Sequence, residues 1–177
     1  MNNQIDKQHI SQTLDYAVEM ARPVQNGDVA NYIPELRNVD PDILSASITL
    51  IDGTTLTSGD HLDFGFTLQS VSKLVLLIGM MEEFGPECVF SWINAEPSGL
   101  PFAAIGDLER FGPVPSNPLI NAGAICLSGR IPGTTDEQLL WVKKWVNKLF
   151  AADLIFSESV YQSEFGSADR NRSLAYL

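Results

Sequence analysis

Only two cysteines, Cys88 and Cys126, and two histidines, His9 and His61, occur in 177 residues. Neither cysteine has a CxxC partner or a histidine close by, so both read as buried free thiols rather than a disulfide or a metal site. His9 falls in the polar N-terminal stretch and His61 in Gly59-Asp60-His61-Leu62-Asp63, a turn or strand end. Both histidines read as surface residues, not as members of a Ser-His-Asp triad. Basic residues are scarce, with 11 Lys and Arg against 22 Asp and Glu, a formal net charge of −11 and no basic cluster. That balance argues against nucleic acid or an anionic membrane as a partner and leaves a solvated acidic surface. The first ten residues, MNNQIDKQHI, lack the apolar stretch of a signal peptide. No later apolar run reaches the roughly 18 residues of a membrane-spanning helix. A cytoplasmic protein is the expectation. Glycine-rich nucleotide loops, internal repeats and low-complexity linkers are missing as well, so nothing suggests a second complete domain.

What is present is a hydrophobic content of 45% with 19% charge, enough for one domain with a true core. Ile10, Leu14, Ala17 and Val18 can line one face of a helix predicted around Ile5 to Met20, which Pro23 terminates. Leu44-Ser45-Ala46-Ser47-Ile48-Thr49-Leu50 alternates apolar and small polar residues, and Asp52-Gly53 turns it into Thr55-Leu56-Thr57, a hairpin signal. An apolar helix from about Ser70 to Phe84 stops at Gly85-Pro86, and a shorter helical segment follows around Cys88 to Ile93. Turn formers are dense in Glu96-Pro97-Ser98-Gly99-Leu100-Pro101-Phe102 and again from Gly112 to Pro118, with a short segment ending in Glu109-Arg110 between them. Asn121, entering a small-residue stretch, can orient a polar ligand or cap a helix, and spacing favours the cap. Thr135 and Gln138 have capping-box spacing ahead of Leu139, Val142, Trp145, Val146 and Leu149, predicting an amphipathic helix from Asp136 to Ala151 with its tryptophans in the core. Helix formers then continue from Val160 to Leu177 without a C-cap signal.

The chemistry of the chain concentrates in Phe66-Thr67-Leu68-Gln69-Ser70-Val71-Ser72-Lys73, where a serine and a lysine stand three apart as an apolar helix begins. Positions i and i+3 share a helix face, so the Ser70 hydroxyl and the Lys73 amine can meet as a nucleophile and its base. Lys73 is the only lysine between Lys7 and Lys143. It sits in the first turn, where the helix dipole disfavours a cation. Bringing a lysine from about 10.4 to near 7 takes roughly 4.6 kcal/mol, of which the dipole supplies at most ~2 kcal/mol. Desolvation beside the apolar run has to supply the remainder. The alternative is that Ser70 or Ser72 caps the helix while Lys73 carries its amine out to water along its apolar stem.

Five blocks in order resemble the serine-dependent glutaminases, a family related in fold to β-lactamases and penicillin-binding proteins. They are Tyr32-Ile33-Pro34-Glu35-Leu36, Leu68 to Lys73, Glu96 to Phe102, Asn117-Pro118-Leu119-Ile120-Asn121-Ala122-Gly123-Ala124 and Arg170-Asn171-Arg172. The resemblance covers nearly the whole chain. It implies an α+β fold with a helical subdomain and an incomplete antiparallel sheet. It also implies hydrolysis of L-glutamine to L-glutamate and ammonia, with Ser70 as acylated nucleophile, Lys73 as general base and no cofactor. By the same resemblance Tyr32 lies beside the nucleophile, Asn121, Glu164 and Asn171 bind the glutamine together with Ser70, and the protein assembles as a homotetramer.

Two departures from the family accompany the match. Phe102-Ala103-Ala104 stands where relatives usually carry Asn-Ser after the Phe, and relatives continue beyond the Arg-Asn block with further strands, active-site tyrosines and a Gly-rich strand that helps form the oxyanion hole. Residues 1–177 are therefore expected to be a single partial glutaminase domain, truncated at its C-terminal side. Two alternatives stand beside the glutaminase: a catalytically inactive truncated relative that binds glutamine or a full-length subunit, and another serine acyl-transfer enzyme of the β-lactamase fold.

Overall fold

Asp6 opens the first helix, its side chain accepting the His9 backbone N–H at 3.0 Å, and α1 runs from there over Lys7–Ala21. The structure is a computed structural model that describes residues 6–150 and 154–177. Leu14 and Val18, one turn apart, are the buried residues of α1, whereas Ala17, expected on the same face, is exposed. The predicted start at Ile5 lies outside the described residues. Strands β1 (Ser45–Thr49) and β2 (Thr55–Gly59) form the predicted hairpin, with Thr49 opposite Thr55 and Ser45 opposite Gly59. Its turn is closed by the Gly53 N–H on the Leu50 carbonyl at 2.9 Å, and Gly53 has φ 82°, a left-handed conformation that favours a residue without Cβ. α1 packs on the hairpin and is tied to it at both ends. Lys7 Nζ lies 2.7 Å from Asp52 Oδ2, and the Arg22 guanidinium donates to both Asp60 oxygens at 2.7 and 2.9 Å. A short helix, α2 (Pro34–Arg37), begins with proline where the missing N–H costs nothing, directly after the fully buried Ile33. These elements form one compact unit, which ends at Phe66.

A second unit runs from Thr67 to Leu177. A 3₁₀ turn at Gln69–Val71 leads into α3 (Ser72–Phe84), followed by α4 (Pro86–Trp92), α5 (Gly106–Phe111) and α6 (Asn121–Ser128). After these come α7 (Thr135–Leu149), α8 (Glu158–Gly166) and α9 (Asp169–Tyr176). Helix α3 is the hub, since α4, α6 and α7 all pack on it. Val75 and Met80 of α3 meet Val89, Leu127 and the indoles of Trp141 and Trp145 in the main core. Burial of each such side chain contributes about 1.5–3 kcal/mol. Close approach of α7 depends on Gly79, because a Cβ there would lie 2.5 Å from a Trp141 ring carbon and 2.8 Å from one of Trp145. Gly85, at φ 80°, ends α3 and Pro86 starts α4, as the Gly-Pro pair predicts.

Three expectations need adjustment. The capping box of α7 is Thr134 with Glu137, one residue earlier than predicted, because Gly133 leaves Thr134 extended as the cap. Phe150, extended, ends that helix at Leu149, two residues before the predicted Ala151, which itself lies outside the described residues. Both cysteines are free, as expected, but half-buried rather than buried. Among the described residues no helix is long and apolar enough to cross a membrane, and no group of three or more His, Cys, Asp or Glu could hold a metal ion.

Glu83, near the end of α3, binds α7 by accepting from Trp141 Nε1 at 2.7 Å, Trp145 Nε1 at 3.0 Å and Lys144 Nζ at 2.5 Å. The Lys144 bond first, then that of Trp141, lowers the Glu83 carboxyl below its ordinary value. A carboxylate with a depressed folded-state pKa stabilises the fold above its unfolded value, and this stabilisation is lost as pH falls through the folded value. Glu83→Ala is therefore expected to cost about 2 kcal/mol at pH 7 by leaving two indole N–H groups without their acceptor. Urea titrations should show the gap to wild type narrowing as the pH is taken well below the ordinary carboxylate range.

Candidate active site

Gln69 has φ 44°, a left-handed conformation that costs a non-glycine residue about 1–3 kcal/mol and is concentrated at functional sites. Ser70 follows in the 3₁₀ turn, exposed, and Lys73 is the second residue of α3. The helix thus starts two residues later than predicted, with Val71 as its N-cap and no side-chain cap. Ser72 does not cap it either, because its hydroxyl donates backwards to the Gln69 carbonyl at 2.6 Å. The capping alternative for Ser70 and Ser72 is set aside by this geometry.

Lys73 does not run out to water. Its half-buried amine donates to Asn121 Oδ1 at 2.7 Å and to the Leu119 carbonyl at 3.1 Å, and it lies 5.4 Å from the centre of the Phe102 ring. Burial lowers its pKa below the ordinary lysine value, and no carboxylate forms an ion pair with it among the described residues. No hydrogen bond joins Lys73 to the Ser70 hydroxyl in this state. A neutral amine has two N–H groups and one lone pair. Two acceptors take the N–H groups and leave the lone pair for a third partner.

Asn121 is the first residue of α6, yet its side chain caps nothing, contrary to the reading from spacing. While its oxygen accepts from Lys73, its Nδ2 donates to Asn171 Oδ1 of α9 at 2.9 Å, and its backbone N–H donates to the Phe102 carbonyl at 2.8 Å. Packing explains the meeting. Leu174, one turn beyond Asn171, is buried with Ile120, Ala122 and Leu108, which fixes α9 against the start of α6. Gly123 allows that start to sit on the preceding loop, since a Cβ there would come within 2.0 Å of the Asn117 carbonyl oxygen.

Of the residues named from sequence, Lys73, Asn121 and Asn171 form one hydrogen-bonded chain, and Ser70 lies outside it in the 3₁₀ turn, three residues before Lys73. Glu164 is exposed on α8, and among the described residues no hydrogen bond connects its side chain to that chain. Tyr32 is exposed just before α2 and belongs to the other unit. Sequence reasoning missed the Leu119 carbonyl, a backbone atom that no residue type announces, and the Phe102 ring, whose block was noted for its turn formers and its family resemblance but not for a ring near the lysine.

Comparison with known proteins places these features in a family. The glutaminase family matches residues 27–177. A glutaminase of Legionella pneumophila (strain Lens) is 45% identical over 166 residues, covering 94% of this chain and 54% of the relative. Among solved structures, the probable glutaminase YbaS superposes with a TM-score of 0.92 at 32% identity, over 97% of this chain and 56% of that one. A covalent complex of the Bacillus subtilis glutaminase YbgJ with 5-oxo-L-norleucine, formed by reaction with 6-diazo-5-oxo-L-norleucine, has a TM-score of 0.78 at 32% identity, over 94% of this chain and 52% of that one. The chain spans about half the length of the curated relatives it matches. With a family match over most of its length and a fold that superposes on a solved relative with a TM-score of 0.92, this chain belongs to the serine-dependent glutaminases of β-lactamase-like fold.

Proposed function

We propose that the site hydrolyses the side-chain amide of L-glutamine to L-glutamate and ammonia through an acyl-enzyme on Ser70. The observation that carries this reading is the Lys73 amine, half-buried, with no ion-pair partner among the described residues and held by two neutral acceptors, three residues after an exposed serine. In the first step the neutral amine takes the proton of Ser70 Oγ as the oxygen bonds to the carboxamide carbon and the carbonyl π electrons move to oxygen. Collapse of the tetrahedral species breaks the C–N bond, and Lys73 returns its proton to the leaving nitrogen, releasing ammonia. Water then attacks the ester, giving its proton through Lys73 back to Ser70 and freeing glutamate. Atoms balance with water as the only co-reactant, and no cofactor enters.

Asn121 and Asn171 orient the substrate's polar groups, Glu164 pairs with its α-ammonium, and Tyr32 stands beside the nucleophile. These four roles rest on the family resemblance, and the Asn121 to Asn171 bond supports the first two. A single partial domain over residues 1–177 and homotetrameric assembly belong to the same proposal and rest on the family resemblance, and a cytoplasmic location rests on the sequence alone.

The covalent complex of the Bacillus relative supplies a probe. Incubation with 6-diazo-5-oxo-L-norleucine, read by peptide mass spectrometry, is expected to place one adduct on Ser70 in wild type and none in Ser70→Ala. Ammonia release from glutamine should fall about 10²–10⁴-fold in Lys73→Met, the contribution of a general base. Absence of both adduct and turnover in the wild-type 177-residue chain would sink the proposal and favour a relative that only binds glutamine. A second expectation concerns stability, because a partly desolvated lysine without a counter-ion serves chemistry rather than folding. Lys73→Met should unfold within about 1 kcal/mol of wild type, a loss no larger than one ordinary hydrogen bond. Destabilisation by about 3 kcal/mol or more, as when a structural buried pair is broken, would assign Lys73 a structural role instead.

A further inference from the structure

Asp107, on α5, is 1% exposed and is one of two buried polar residues of the chain's described interior, the other being Ser116. Among the described residues no hydrogen bond joins the Asp107 side chain to Ser70, Lys73, Asn121 or Asn171. Both of its oxygens are nevertheless committed: Oδ1 accepts the Ser116 hydroxyl at 2.6 Å and Oδ2 accepts the Ser116 backbone N–H at 3.1 Å. Ser116 in turn fixes the loop segment that leads to the site. Its carbonyl accepts the Glu96 N–H at 2.8 Å, and the neighbouring Pro115 carbonyl accepts the Asn94 N–H at 2.9 Å. The next residue, Asn117, donates to the Glu96 carbonyl at 2.9 Å and accepts from the N–H groups of Leu119 and Ile120 at 3.0 and 3.2 Å. Those bonds turn the Leu119 carbonyl, which accepts from Lys73 Nζ at 3.1 Å.

We propose that Asp107 is a positioning residue for the Lys73 amine, acting through Ser116 and Asn117 to hold the Leu119 carbonyl in place. The inference deepens the proposed function, since it rests on Lys73 being the base. An anionic acceptor suits this task. A carboxylate accepts two donors of one residue at once, and charge-assisted bonds are roughly twice as strong as neutral ones. Around Lys73 the neighbours are neutral: the Leu119 carbonyl, the Asn121 amide and the Phe102 ring, with no acid or base contributing to its titration. Release of the 115–120 segment therefore changes the amine's solvent cover rather than its charged neighbours.

The test is the pH dependence of Lys73 labelling by an amine-reactive reagent, read by mass spectrometry in wild type, Asp107→Ala and Ser116→Ala, with Lys148 of α7 as internal control. The proposal expects the Lys73 labelling midpoint to shift upward towards the ordinary lysine value in both variants, while that of Lys148 stays put. Should Asp107→Ala fail to fold, Ser116→Ala decides, because it removes the hydroxyl donor and keeps the backbone one. A folded Ser116→Ala with a lowered Tm but the wild-type Lys73 midpoint overturns the proposal, leaving Asp107 a purely structural residue. Glutamine turnover on the same samples separates the two readings: a wild type that releases no ammonia ends the glutaminase proposal, whereas the labelling midpoints still decide the role of Asp107.

Discussion

An amine withdrawn from water with no carboxylate to pair it must be held by neutral acceptors, and nearly every structural feature around Lys73 serves that requirement. The helix start disfavours its charge, burial lowers its pKa, and the Leu119 carbonyl and Asn121 amide take its two hydrogens. A carboxylate in the same place would have produced an ion pair and a permanently charged lysine. Neutral partners are what the proposed role of base requires.

The scaffold follows from the need to bring three helices to one point. α3 supplies Lys73 at one end and, through Gly79 and Glu83, accepts the indoles of α7 at the other. Glycine is a poor helix former, costing about 1 kcal/mol against alanine. Its place on α3 is explained by the ring contacts that any Cβ would block. α6 supplies Asn121 and α9 supplies Asn171, and the small cluster of Leu108, Ile120, Ala122 and Leu174 sets the separation between them. Packing energy stored in these clusters offsets the cost of the left-handed Gln69 and the desolvated Lys73, both of which lie at the site rather than in the core.

Much of this was legible in the sequence. The hairpin at Asp52-Gly53 and the Gly85-Pro86 break each name a local geometry through residues that few alternatives fit, whereas the Ser70-Lys73 spacing left a helix cap open beside the nucleophile and its base. Ordered blocks of sequence identified the family, which the comparisons confirm over residues 27–177. What escaped was non-local or carried by backbone. Asn121 read as a helix cap because spacing cannot foresee a lysine 48 residues away that claims its oxygen. The α7 capping box shifted by one residue because Thr134 and Thr135 are chemically alike and only the turn at Gly133 separates them. Asp107 carried no motif at all, since its importance comes from burial opposite Ser116, which sequence does not display.

Direct titration of Lys73 tests the account most sharply. Heteronuclear NMR of the lysine side chains, with Lys73→Met used to assign the resonance, would follow the amine through pH in the intact protein. The account predicts a Lys73 midpoint below the ordinary lysine value of about 10.4. A Lys73 midpoint at or above that value would contradict it, because a lysine charged throughout the neutral range cannot take the proton of Ser70.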